Sequence, residues 1–183
     1  TAVALCGDHG EAFWERGLPG HGNNLHDEEL RVPLIVRAPG PPAPGAAVAG
    51  QAGLIDLAPT LLDLAGVPPP PSWEGRSLRP LLSGGAAPGR PLVLDNRIGG
   101  GWVRGVRTPA FKLTARHPFD AVAECYDLAA DPGETDNLAG PRLPPAAAAL
   151  APLLRPPGGS APAAPPVPGK AALDRIRSLG YAR

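Results

Sequence analysis

Short apolar runs, each stopped by glycine or proline, alternate with polar loops through the first half of the chain. Residues 1–6 (TAVALC) are almost wholly apolar and end at Gly7. That pattern predicts a strand buried on both faces, as in the parallel sheet of an α/β protein. Residues 12–31 read as a polar loop broken at Pro19, Gly20 and Gly22. Residues 32–37 predict a second strand, stopped at Pro39-Gly40, and residues 40–50 a Pro/Ala/Gly loop. Residues 56–66 predict a helix, with Asp56 as its cap, Pro59 in its first turn and Gly66 at its end. Leu57, Leu61 and Leu64 share one face of it and are expected to pack on the sheet. Residues 78–82 predict one further helical turn.

The periodicity changes after Arg90. Residues 92–94, 102–107, 111–115 and 124–128 are short strand candidates between turn residues, and they predict a small antiparallel sheet. Residues 141–169 are rich in proline and alanine and read as a loose linker with an Ala-rich helical piece. Residues 171–179 predict a last helix, closed by Gly180. The organisation expected is an α/β core over 1–85, an antiparallel subdomain over 86–140, a linker over 141–169 and a terminal helix over 170–183.

Composition narrows the picture. Proline (27) and glycine (24) are abundant in 183 residues, but they cluster, so the bias belongs to particular loops. Seventeen basic and 17 acidic residues leave no net charge and no basic run, which argues against a nucleic-acid or anionic-membrane surface. No apolar stretch reaches the roughly 18 residues of a membrane span. The chain begins inside a strand-like run and has no methionine, so it is expected to be a piece of a longer protein. Cys6 and Cys125 form no metal-type pair and are expected to be ordinary buried thiols.

The candidate chemistry lies at the end of the first strand. Asp8 and His9 follow Gly7 and precede Gly10, at the C-terminal end of a strand, where open α/β sheets bind ligands. A carboxylate and a neutral imidazole can hold one divalent cation, which could bind an anionic ester and acidify a bound hydroxyl. A plain surface turn accounts for the same residues. His21, between Gly20 and Gly22, is free to meet an anion or protonate a leaving oxygen, or to be a solvated loop histidine. Glu11 could orient His9 from behind, or be solvated. His26 precedes three carboxylates and is expected to be held by them. Arg31 and Arg37 flank the second strand and read as surface ion-pairing residues. The acids of Asp131-Pro132-Gly133-Glu134 read as turn chemistry.

Taken in order, these residues resemble the sulfatase family of the alkaline phosphatase superfamily. Gly7-Asp8-His9-Gly10-Glu11 is similar to its S-D-H-G-E motif. Gly20-His21-Gly22, Leu25 and Glu28-Glu29-Leu30-Arg31-Val32-Pro33-Leu34 are similar to its G-H-G…L-Y-E-E…R-V-P-L. Asp56 to Gly66 resembles D-L-x-P-T-L-L-x-L-x-G, and Gly75-Arg76-Ser77-Leu78 resembles G-x-S-L. Lys112-Leu113, Tyr126-Asp127-Leu128, Asp131-Pro132-Gly133-Glu134 and Asn137-Leu138 match its C-terminal pattern, and Leu179-Gly180-Tyr181 resembles a common ending. Arg16 stands where histidine is frequent, and His26 where tyrosine is.

The resemblance implies an alkaline-phosphatase-like α/β sandwich, of which this would be the C-terminal part, plus a small antiparallel sheet with a helix. It implies Asp8 and His9 as ligands of one divalent metal, Ca2+ first and Mg2+ or Mn2+ next. It implies His21 as the catalytic, substrate-binding cation beside the sulfate. The substrate class implied is a small-molecule or glycan sulfate ester, and family members are often exported to the periplasm or outside the cell. The family's nucleophile is a formylglycine made from Cys-x-Pro-Ser/Ala-Arg. Neither Cys6 nor Cys125 stands in that setting, so the nucleophile and an early Asp-Asp metal pair are expected upstream of Thr1, and this chain alone is expected to be inactive. The other readings are a phosphoryl or phosphonate ester hydrolase, a phosphoglycerol or phosphoethanolamine transferase, or a non-catalytic truncated product.

Overall fold

The computed structural model describes residues 1–39, 45–85, 89–157, 170–171 and 174–175. Its centre is a four-stranded antiparallel meander: β5 (Leu92–Ile98), β6 (Gly101–Arg107), β7 (Phe111–Arg116) and β8 (Glu124–Asp127), paired in that order. The four strands fall at the expected strand positions, and the first runs on to Ile98. Alternation along each strand gives the sheet two different faces. Val106, Leu113 and Cys125 are cross-strand neighbours on one face, and none is exposed to solvent. Arg107, Lys112 and Tyr126 are the corresponding neighbours on the other face.

The apolar face is closed by the Pro/Ala-rich segment. The short helix Pro145–Ala148 and the 3-10 turn Ala151–Leu154 place Ala147 and Leu154 in the core beside Val106, Leu113, Ala115 and Phe119. The loose linker expected from composition is therefore a packed element over these residues. Alanine and leucine at helical spacing find an apolar sheet face to cover, and this outweighs the local abundance of proline. Residues 158–169 and most of the expected terminal helix lie outside the described residues.

The polar face of the sheet is covered by the N-terminal region. Here α1 (Asp27–Leu30) follows a loop holding a two-residue hairpin, β2 (Ala12–Phe13) with β3 (Pro19–Gly20). Asp27 accepts hydrogen bonds from Arg107 Nη2 at 2.7 Å and Lys112 Nζ at 2.8 Å. Lys112, fully buried, also pairs with buried Glu134, whose other oxygen accepts the Asp27 backbone N–H at 2.8 Å. Arg16 completes the joint, with its Nε on Glu28 at 2.9 Å and its Nη atoms on the carbonyls of Gly133 and Glu134. Burial alone would raise the Asp27 pKa. The hydrogen bonds of Arg107 and Lys112 outweigh it and hold the carboxyl well below the usual range.

Two expectations about the first region are corrected. The first strand, β1 (Val3–Cys6), is not a buried parallel strand. It pairs antiparallel with β4 (Leu34–Arg37) in a two-stranded sheet, with Leu5 opposite Ile35. Leu5 is 64% exposed and Ile35 62%, because double-sided burial needs further layers around the pair. Cys6 is likewise exposed, whereas Cys125 is buried as expected, and its burial pushes the thiol pKa up.

The helix α2 (Leu57–Leu64) forms and ends at Gly66 as expected, but the residues it buries are Pro59 and Thr60 rather than the leucine face. Asp56 does not cap it. The Asp56 carboxylate accepts from the N–H groups of Gly53 at 3.0 Å and Arg76 at 2.8 Å, and pairs with Arg90 at 2.5 Å. Thr60 Oγ1 accepts the Leu78 N–H at 2.8 Å, and Asp63 holds Ser77 at 2.5 Å and Arg79 at 3.0 Å. Asp56, Thr60 and Asp63 thus lock the helix to residues 76–79, just before and into α3 (Arg79–Leu82), while Leu61 of the expected apolar face remains 40% exposed.

Candidate active site

The loop after β1 and the β2–β3 hairpin meet above α1. The hairpin register pairs Ala12 with Gly20, which sets Glu11 beside His21 one step further on. Gly20 (φ 96°) and Gly22 (φ 79°) take the left-handed conformation on either side of His21, a geometry that glycine adopts without steric cost. The turn is fixed from below by Glu29, a buried carboxylate that accepts the N–H groups of Gly22 at 2.6 Å and Asn23 at 3.0 Å. Gly10 lies so close to the same helix that a Cβ there would sit 2.1 Å from the Glu28 carbonyl oxygen. Its N–H bonds the Glu29 carbonyl at 2.8 Å. One short helix therefore positions both the Asp8-His9-Gly10 turn and the Gly20-His21-Gly22 turn.

The result is a compact, solvent-facing cluster. The His9 and His21 rings stack with centroids 3.8 Å apart and planes inclined by 29°. His9 Nδ1 lies 2.8 Å from the Gly10 carbonyl oxygen. A carbonyl only accepts, so Nδ1 carries the proton and Nε2 is left with its lone pair. Nε2 stands 3.9 Å from Asp8 Oδ1, and the Asp8 side chain is 78% exposed. Two donors bound to one hard cation at about 2.3–2.6 Å adopt a separation close to this one. His21 Nδ1 lies 3.0 Å from Glu11 Oε2.

Asp8, His9, Glu11 and His21 are thus brought together at one edge of the molecule. Glu11 is corrected in one respect: its hydrogen bond goes to His21 rather than His9, because the hairpin register faces it that way. His26 is also corrected. It is buried, with Nε2 3.3 Å from the Tyr126 hydroxyl and Nδ1 without a hydrogen-bond partner, and the neighbouring carboxylates turn elsewhere. Burial first, then the Arg16 charge, lowers its pKa, while burial raises that of Tyr126 to about 12. Arg31 and Arg37 are exposed. Sequence reasoning missed Glu29 as the anchor of the His21 turn and Lys112 as the buried cation of the joint. The available signals were a glutamate next to a helix end and a lysine inside an alternating strand.

Comparison with known proteins adds the following. Residues 22–91 match the family model described as N-sulphoglucosamine sulphohydrolase, C-terminal. The choline-sulfatase of Rhizobium meliloti (strain 1021) is 33% identical over 148 residues, covering 79% of this chain and 28% of that protein. The structure of BT4656 in complex with its substrate D-glucosamine-2-N,6-O-disulfate is similar at 29% identity and a TM-score of 0.73, over 84% of this chain and 33% of that one. The phosphonate monoester hydrolase SpPMH from Silicibacter pomeroyi is similar at 26% identity and a TM-score of 0.62, over 97% of this chain and 35% of that one. The chain therefore spans under a third of the length of the choline-sulfatase it matches. With the ordered motifs, the α/β fold and these relatives in agreement, the chain belongs to the sulfatase family and corresponds to the C-terminal region of its members.

Proposed function

We propose that this chain forms one wall of the active site of a metal-dependent sulfuric ester hydrolase. The observation that carries the reading is the convergence of Asp8, His9 and His21 on one exposed edge, with the His9 tautomer set so that Nε2 and Asp8 Oδ1 can share a cation. Asp8 and His9 fit a hard divalent ion, calcium first and magnesium or manganese next, because the pair offers one carboxylate and one lone-pair nitrogen at a suitable separation. When bound, that ion would supply Lewis-acid stabilisation of anionic oxygens and a more acidic hydroxyl. Asp8 contributes charge at the site, and the Gly10 carbonyl keeps the His9 ring turned with Nε2 outward. His21, backed by the Glu11 carboxylate, would donate through its imidazole to a sulfuryl oxygen or to the leaving oxygen. Glu29 and Gly10 hold the two turns in register. The attacking group belongs to another part of the protein, in keeping with Cys6 and Cys125 lying outside the Cys-x-Pro-x-Arg setting.

The substrate class is a sulfate ester of a small molecule or glycan. The full-length protein carrying this chain should hydrolyse an aryl or sugar sulfate in the presence of a divalent cation, while residues 1–183 alone should show no turnover. A full-length protein inert towards sulfate esters would overturn the reading, and so would hydrolysis by residues 1–183 alone. The similarity to a phosphonate monoester hydrolase over nearly the whole chain favours a second reading, an ester hydrolase acting on phosphorus. Faster turnover of a phosphonate monoester than of the matching sulfate would select it.

A further inference from the structure

We infer that a cavity on the polar face of the C-terminal sheet binds an uncharged sugar ring, and thereby selects a glycan over an aryl group as the alcohol part of the ester. The N-terminal region seals one end of that face, where Asp27 and His26 sit on Arg107, Lys112 and Tyr126. Further along the same strands, at Val103, Thr114 and Arg116, the cover stops and a cavity of about 280 Å³ opens. Asn24 and Leu25 form its N-terminal wall. Asn24 follows His21 by three residues, a chain reach of at most about 11 Å, so the cavity opens beside the His21 turn.

The cavity has an apolar floor in Leu25 and Val103, both buried, and polar walls with bonding capacity to spare. Thr114 Oγ1 donates to Glu124 Oε2 at 2.8 Å, which leaves Glu124 Oε1 as an acceptor. Asn24 Oδ1 accepts the His26 N–H at 2.7 Å, which leaves Nδ2 as a donor. Arg116 is exposed, and among the described residues its guanidinium has no hydrogen-bond or ion-pair partner. Glu124 stands opposite Thr114 in the β7–β8 ladder, and Arg116 lies two residues further along β7. Such diagonal neighbours are roughly 7–8 Å apart, and the two charges line one cavity without pairing. An acceptor and a donor so placed fit two adjacent hydroxyls: one donates to Glu124 Oε1 and the next accepts from Arg116. The apolar floor takes the C–H face of the ring. One carboxylate and one guanidinium leave no net charge, which favours a neutral ring over a uronate or a second sulfate. The volume is near the lower end of the range for ligand sites, about 300 Å³, and suits one ring rather than a chain. Sugar binding stands on the cavity itself; its bearing on substrate choice rests on the sulfate-ester reading.

The test is saturation-transfer NMR titration of the full-length protein carrying this chain. The probes are the methyl glycosides of glucose, galactose and mannose, with glucuronate as the charged comparison. At least one neutral probe should bind saturably. Arg116→Ala, at an exposed position without a partner to lose, should weaken that binding by about tenfold or more. Glu124→Gln, which keeps the shape but exchanges an acceptor for a donor, should weaken it several-fold. Arg97→Ala, on the opposite face of the sheet, should leave it unchanged. Absence of saturable binding by every neutral probe overturns the inference, and so does binding that Arg116→Ala leaves unaltered or tighter binding of glucuronate. In turnover, Arg116→Ala should raise KM for a sugar sulfate at least about tenfold more than KM for an aryl sulfate. Equal changes on both substrates overturn the role in substrate choice. The NMR arm reads sugar binding without any ester cleavage, so its failure leaves the sulfatase reading standing, and a protein inert towards sulfate esters leaves the sugar site standing.

Discussion

Leu113 and Leu5 are both leucines in the middle of short strands, yet Leu113 is fully buried and Leu5 is 64% exposed. Leu113 lies in a four-stranded sheet covered on both faces. Leu5 lies in a two-stranded sheet, facing an equally exposed Ile35. Within this chain the buried apolar cluster lies on the C-terminal sheet, while the candidate chemistry sits on N-terminal loops. The link between them is α1. Its Asp27 grips the polar face of the sheet, its Glu28 holds Arg16, and the carboxylate and carbonyl of its Glu29 carry the two histidine turns. An apolar strand pattern records the burial a strand is suited to, and the surrounding layers decide whether it receives that burial.

The sharpest break in this comparison is at the joint. Lys112→Ala should cost about 3–5 kcal/mol in chemical denaturation, since it strands the buried Glu134 carboxylate and takes one partner from Asp27. The double variant Lys112→Met/Glu134→Gln should cost clearly less, because no unpaired charge is left inside. Next comes the pair that opened the comparison. Leu113→Ala should cost roughly 2–5 kcal/mol, and Leu5→Ala within about 0.5 kcal/mol. Equal losses would show that β1 is covered in solution. Gly10→Ala should destabilise by about 1–3 kcal/mol through the clash with the Glu28 carbonyl, and should shift the His9 and His21 ring resonances more than those of the sheet.

The smallest effect is the pH dependence. His26 is held neutral by burial and by Arg16, so its folded pKa lies below the unfolded value near 6.5. The unfolded chain then binds the extra proton, and stability falls as pH drops below about 6.5. Asp27, also lowered, adds a loss that begins near its unfolded value of about 4. Glu134, raised by burial, works in the opposite direction at acid pH. Between pH 7 and 5 the slope should approach on the order of 1 kcal/mol per unit, and His26→Gln should flatten most of it. An unchanged slope in His26→Gln would remove His26 from the account.

Much of this arrangement was legible in the chain. The four C-terminal strands announced themselves through alternation and turn residues, and Gly66 marked the helix end. The glycine-bracketed Asp8-His9 and His21 turns stood out through residue type alone. What was not legible depends on partners distant in sequence. Lys112 meets Asp27 across 85 positions and Arg16 meets Gly133 across 117, and no local pattern reports such pairings. The packing of α2 was misread for a similar reason. Leucines dominate its composition, but the segment packed against it brings backbone N–H groups and hydroxyls, which select Asp56, Thr60 and Asp63. His26 looked destined for its neighbouring carboxylates, and the sheet instead offered it Tyr126.

The central claim is that Asp8 and His9 hold the catalytic cation. It is tested most directly by the metal content and sulfate-ester turnover of the full-length protein carrying Asp8→Asn. The account predicts a bound divalent cation below one equivalent and turnover reduced by at least about a hundredfold, with the C-terminal sheet still folded. A variant that keeps both its full equivalent of metal and its wild-type turnover would contradict it.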